Sequence, residues 1–215
     1  MEPSVIDFIN TSRDRDLEEL KQYLAIPSVS ALPEHAGDLR RCAEWTAEQM
    51  RAIGLENVRV ADTPGHPIVY GDWLHAEGAP TALVYGHYDV QPVDPVELWT
   101  SPPFEATVRD DELFARGATD DKGQLFAHLK AIEAHLKQAG RLPINLRIIL
   151  EGEEEIGSPN LNQFILDHKH ELACDVVLIS DSPMFEKGVP SICYGLRGLA
   201  YCQIDLRGTS TDLHS

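Results

Sequence analysis

Apolar residues near the N-terminus recur at helical spacing twice. Val5, Ile6, Ile9, Leu17, Leu20 and Leu24 predict a helix over 5–24 that stops near Pro27. Leu39, Cys42, Trp45, Gln49, Met50 and Ile53 mark one side of a second helix over 38–53, with Gly54 as its stop. The rhythm then shortens to strand-like runs. Val58–Val60 and Ile68–Asp72 are parted by a Pro64-Gly65 turn, and Thr81-Ala82-Leu83-Val84 follows Gly78-Ala79-Pro80 and runs into Tyr85-Gly86-His87-Tyr88-Asp89. A proline-rich loop comes next, from Gln91-Pro92 to Pro102-Pro103-Phe104, and loops this long inside a compact domain are usually functional.

Residues 104–108 and 112–115 predict a hairpin around Arg109-Asp110-Asp111. Leu125, Phe126, Leu129, Ile132 and Leu136 predict a helix over 123–138 with Gly140 as its C-terminal signal. A strand over 144–150, a helix over 159–169 and a strand over 175–181 complete the pattern. Strands alternating with helices predict βαβ crossovers, hence an α/β fold with a largely parallel sheet. In such sheets chemistry gathers beyond the carboxyl ends of the strands. Here those ends carry His87 and Asp89, Glu154 and Glu155, and Asp181, while the loop before a helix carries Asp120.

Composition narrows the field. Acidic residues outnumber basic ones 35 to 18, a net charge of −17 that repels phosphate backbones and excludes nucleic acid as the expected partner. The N-terminus has neither a basic segment nor an apolar run, so a soluble, cytoplasmic protein without a membrane partner is expected. Cys42, Cys174, Cys193 and Cys202 are widely spaced, which argues against zinc ribbons and redox pairs and leaves buried free thiols as the expectation. A Cys193–Cys202 pair facing across a hairpin is the alternative.

One imidazole with several carboxylates suits zinc or a mixed divalent site. A metal pair roughly 3.5–4 Å apart needs a bridging carboxylate, and hydrolysis needs a further carboxylate as general base. Two adjacent glutamates at a strand end can divide such tasks, but Glu153 leaves their register open from spacing alone. His128 and His135 share a helix face with nothing of ligand character beside them.

Four motifs then carry a resemblance. Gly86-His87-Tyr88-Asp89-Val90-Gln91-Pro92, Ala115 to Gly123 with Asp120-Asp121-Lys122, Glu154-Glu155-Ile156-Gly157-Ser158 and Ser180-Asp181 together resemble the M20 metallopeptidase family, most of all its dipeptidase and carnosinase-like branch. The resemblance spans about residues 5–215. It implies a three-layer αβα, zinc-exopeptidase-like fold with a largely parallel mixed sheet, and two divalent cations, zinc first with manganese or cobalt as alternatives. It further implies that His87 and Asp181 each bind one cation, that Asp120 bridges them, and that a cis peptide joins Asp120 to Asp121. Asp89 would orient His87, Glu155 would be a ligand and Glu154 the general base. The implied reaction is hydrolysis of a dipeptide-type or related amide bond, in which activated water gives its proton to Glu154.

The same resemblance divides the chain into a catalytic domain over 1–189 and the opening of an inserted lid and dimerisation domain over 190–215, with a strand over 199–206. It gives His214 a place in a homodimer of the full-length form, reaching a partner's active site to stabilise the oxyanion. Because a final histidine ligand lies beyond this sequence in similar enzymes, an incomplete form with reduced activity is expected. Two alternatives stay open: an N-acyl amino acid deacylase on the same fold, and a non-catalytic remnant.

Overall fold

The computed structural model describes residues 3–208 of the chain. Two long helices open it, α1 (Pro3–Leu24) and α2 (Ala36–Ala52). Next come β1 (Glu56–Ala61), β2 (Ile68–Trp73) and β3 (Thr81–His87). A small hairpin of β4 (Thr107–Arg109) and β5 (Glu112–Phe114) precedes α3 (Lys122–Ala139). The last elements are β6 (Asn145–Glu151), α4 (Leu161–Asp167) and β7 (Val176–Ile179).

The main sheet has the order β1-β2-β6-β3-β7. β3 pairs in parallel with β6 on one side and β7 on the other, while β2 runs antiparallel to both β1 and β6. The sheet is therefore mixed, with β2 alone running against the rest. Short apolar runs carry no direction, which is why the reversed strand is invisible in the sequence. β6 and β7 flank β3: the β3-to-β6 crossover runs one way along the sheet and the β6-to-β7 crossover returns past β3 to its other side, a reversal of the kind that opens a crevice in α/β sheets.

Alternation along each strand separates the two faces. Ala82, Val84, Leu146, Ile148 and Leu150 join the α2 and α3 side chains in the larger core, whereas Ile149 meets Phe164 and Leu172 in a smaller one, with Leu83 and Tyr85 packed against it. Helices thus cover both faces, as the three-layer expectation has it. In α2, Leu39, Cys42, Ala43, Thr46, Ala47 and Met50 form the buried stripe. α1 is held to α3 partly by charge. Arg15 makes paired bonds of 2.9 and 3.1 Å to the buried carboxylate of Glu133, and Lys130 joins both Glu133 (2.9 Å) and Glu19.

Lys122 makes the other tie to α1. Its side chain is fully buried, and Nζ donates to the carbonyls of Tyr23 (3.2 Å) and Ile26 (2.7 Å) just past the helix end, 5.1 Å from the Tyr23 ring centroid. Burial lowers the lysine pKa, opposed by Cys42 and Asp89.

The chain divides between Asp181 and Ser182. Residues 190–208 contain no helix or strand, so the strand expected over 199–206 is corrected: among the described residues no segment pairs with it, and a strand needs a ladder partner for its hydrogen bonds. The expectation of free thiols holds, and that of burial holds for Cys42 alone. All four cysteines are free, Cys42 is buried, Cys174 is half-buried, and Cys193 and Cys202 are exposed in a segment without a hairpin. Among the described residues, no helix is long and apolar enough to cross a membrane.

Truncating Lys122 to alanine removes two buried charge-assisted bonds and leaves a cavity under the loop before α3. Urea denaturation of Lys122→Ala is expected to show a loss of about 2–4 kcal/mol in unfolding free energy; an unchanged midpoint would show that the tie to α1 contributes nothing.

Candidate metal centre

The end of β3 delivers His87 into the interior, where its side chain is fully buried. Its register partner is Glu151, the last residue of β6. Past the strand, the Tyr88 N–H bonds the Glu151 carbonyl at 2.9 Å. The loop Pro27-Ser28-Val29 fixes the exit: Ser28 Oγ donates to the Tyr88 carbonyl (2.6 Å), and the Val90 N–H to the Ser28 carbonyl (2.9 Å). The sequence marks that loop only as a break between helices.

His87 is held at Nδ1 of its ring and at its backbone. Nδ1 lies 3.1 Å from the Asp89 carbonyl oxygen and 3.4 Å from the Asp89 carboxylate. The backbone N–H donates to Asp121 Oδ2 at 3.2 Å. That carboxylate comes so close that a Cβ on Gly86 would stand 2.7 Å from it, which explains the glycine before the histidine. Asp120 and Asp121 are joined by a cis peptide bond, as the resemblance implies.

Nε2 faces outward to three acids: Asp120 Oδ1 at 3.2 Å, Asp181 Oδ2 at 3.5 Å and Glu154 Oε2 at 3.9 Å. It is buried and makes no hydrogen bond. One ligand atom from each of His87, Asp120 and Asp181 lies within 4.8 Å of the others. The 3.2 Å between Nε2 and Asp120 Oδ1 suits two ligands of one cation, since donors about 2.0–2.2 Å from an ion at tetrahedral angles stand about 3.4 Å apart. An imidazole and carboxylates are also a donor set that zinc accepts.

Asp89 has a wider role than orienting the ring. Its two carboxylate oxygens accept the backbone N–H groups of Glu154 (3.2 Å) and Glu155 (3.1 Å), at the start of the 3-10 turn Glu154–Ile156. The turn ends on Gly157 at a φ of 88°, a conformation that glycine adopts freely. Register within the acidic run follows from this anchoring. Glu153 is buried away from the ring, accepting Asn160 Nδ2 (2.8 Å) and the His66 N–H (3.0 Å), whereas Glu154 faces His87. Glu155 lies apart from the three-residue cluster, its carboxylate accepting Gln91 Nε2 at 2.6 Å. His214 lies outside the described residues.

The electrostatics reflect crowding of like charge. Burial alone would lower the His87 pKa, but the hydrogen bond and charge of Asp89, with Asp121 and Glu154, push it up to about 10. Burial raises Asp121 to about 7. It also raises Glu154, whose other carboxylate neighbours add to the effect while His87 opposes it. A cation at Nε2 would take the place of the proton that the acids otherwise hold there.

The sequence singles out neither Gln91, the donor to Glu155, nor Asp121, the acceptor of the His87 N–H. Both sit inside the quoted motifs, which was the available signal. Glu151 was missed too; it is buried and accepts Tyr85 Oη (2.5 Å) and Ser158 Oγ (2.8 Å).

Comparison with known proteins is in line with this geometry. A sequence profile described as Peptidase family M20/M25/M40 matches residues 83–210. The Cys-Gly metallodipeptidase dug1 of Schizosaccharomyces pombe is 35% identical over 97% of this chain and 46% of its own length. The Beta-Ala-His dipeptidase of Homo sapiens is 30% identical over 98% of this chain and 44% of its own. Among solved structures, human carnosine dipeptidase 1 aligns with a TM-score of 0.78 and 30% identity, covering 83% of this chain and 40% of that one. The chain therefore spans under half the length of these curated relatives.

If Asp89 sets the Glu154–Glu155 turn, Asp89→Ala removes two hydrogen bonds to a charged acceptor, each worth about 1.5–3 kcal/mol. Amide exchange at Glu154 and Glu155 is expected to rise at least about tenfold, with the β3 amides little changed. Unaltered exchange at those two positions would remove Asp89 from that role.

Proposed function

The chain belongs to peptidase family M20/M25/M40, and from that premise we propose that the centre around His87 serves the hydrolysis of dipeptides with the help of two divalent cations. The observation that carries the reading is the buried Nε2 of His87, without a hydrogen bond and facing carboxylate oxygens of Asp120 and Asp181. His87 and Asp181 would each hold one cation, with Asp120 between them and Glu155 completing the set by exchanging its bond to Gln91. Zinc suits these donors, and manganese or cobalt would be tolerated. When bound, the cations supply Lewis acidity, making water a better acid and a carbonyl a better electrophile.

Glu154 is the residue to move the proton. It faces His87, is partly open to solvent, and its raised pKa brings it nearer the working range of a general base. It would take a proton from the attacking water and return it to the amine as the C–N bond breaks, leaving a free amine and a carboxylic acid. Asp89 supports this chemistry by fixing both His87 and the turn that carries Glu154. The substrate class follows the relatives, whose names specify Cys-Gly and Beta-Ala-His. We also assign residues 1–189 to the metal-binding domain and 190–215 to the opening of an inserted domain.

Two measurements test the reading. Calorimetric titration with zinc is expected to show specific binding that Asp120→Ala abolishes; no specific binding by the unmodified protein would overturn the metal centre. In a metal-loaded protein assayed with Cys-Gly and Beta-Ala-His, Glu154→Ala is expected to lower turnover by about 100-fold or more while metal content stays near normal. Metal loss with activity retained would make Glu154 a ligand, not the base.

A further inference from the structure

Asp181 occupies an exacting position on a weakly held element. β7 is the sheet's edge strand and pairs only with β3, from Ala82↔Val176 to Tyr85↔Ile179. All four of its residues are exposed, although each is apolar. The ladder ends at Ile179, yet two residues later Asp181 Oδ2 stands 3.5 Å from His87 Nε2. Neither burial nor strand pairing explains how that carboxylate keeps its place.

The side chain between them supplies a tie. Ser180 Oγ is hydrogen-bonded to His128 Nε2, from the middle of α3. His128 is bracketed along its helix by the buried residues Leu125, Leu129 and Ile132, so its ring projects from a well-packed base. Burial lowers its pKa, so the neutral ring is favoured. α3 begins at Lys122, directly after Asp120 and Asp121. One helix therefore governs Asp120 through its N-terminal junction and reaches the segment of Asp181 through His128.

We propose that His128 is a positioning residue for the metal centre: its hydrogen bond to Ser180 places Asp181 opposite His87 and thereby sets the affinity for a cation at that position. This rests on the metal-centre reading above. Among the described residues His128 makes no hydrogen bond to His87 or Asp181, so it acts through Ser180. The pairing uses Nε2, the ring nitrogen remote from the backbone, so glutamine can place an amide in the same region and asparagine is too short.

The test compares His128→Ala, Ser180→Ala, the double variant and His128→Gln, by zinc calorimetry and by amide exchange of residues 176–181 without metal. Each single alanine variant is expected to weaken zinc binding roughly 10- to 100-fold. The double variant should lose no more than either single one, because both remove the same bond. Exchange should quicken at residues 176–181 while β6 is unchanged, and His128→Gln should recover most of the affinity. A merely structural role would lower thermal stability without rescue by glutamine. Unchanged exchange at residues 176–181 in His128→Ala, or additive losses in the double variant, would overturn the proposal. If the unmodified protein bound no zinc, the metal-centre reading would fall, and exchange alone would decide whether His128 holds the end of β7.

Discussion

The constraint on which this structure depends is the repulsion among carboxylates gathered at one end of the sheet. Asp89, Asp120, Asp121, Glu151, Glu153, Glu154 and Asp181 crowd the sheet end that carries one imidazole, and charge of one sign cannot be concentrated away from water without compensation. The fold divides these acids into two groups. Asp89, Asp121, Glu151 and Glu153 each accept bonds from fixed donors: the N–H groups of Glu154 and Glu155, the N–H of His87, the hydroxyls of Tyr85 and Ser158, and the Asn160 amide. Asp120, Glu154 and Asp181 instead turn toward His87 Nε2. The first group is satisfied by protein, and the second is left for a cation and a proton.

Much of this was legible in the sequence for a simple physical reason. Strand ends in a parallel sheet project to one side, so acids that follow apolar runs must converge. His87, the Glu154–Glu155 pair and Asp181 all follow such runs, and Asp120 precedes a helix whose apolar spacing is clear. The division of work within Glu153-Glu154-Glu155 was not legible, because it depends on a single 3-10 turn whose orientation is set by Asp89, far away in sequence. The direction of β2 was hidden for a similar reason, since its alternation is the same whichever way it runs. Lys122 lay in a quoted motif without its purpose showing, as its acceptors are backbone carbonyls and carry no residue identity. The link from His128 to Ser180 was equally hidden, because two helical turns and a strand end meet only in three dimensions.

The two cores also explain why the site can be both crowded and ordered. β2 and β6 are buried almost throughout, and β3 lies between β6 and β7 with Ala82 and Val84 in the larger core. The rigid centre of the sheet therefore ends at His87, where the greatest accuracy is required. β7, which leads to Asp181, is exposed along its length, whereas the loop that bears Asp120 opens the well-buried α3 and is tied to α1 through Lys122. This is the expected economy for a site that must admit ligand: hydrophobic burial locates the imidazole, and directional bonds locate the acids around it.

The ammonium of Lys122 has a consequence for how the molecule assembles. Its carbonyl acceptors lie 99 and 96 residues earlier in the chain, at the end of the first helix. Closing so long a loop is entropically costly and cannot be offset by local helix formation, so it belongs to the slow, collective part of folding. The loop bearing Asp120 and Asp121 is thereby tied to the docked position of the N-terminal helix. The acids at the sheet end and the first helix form one long-range unit, so a change that loosens the helix reaches the loop that carries Asp120.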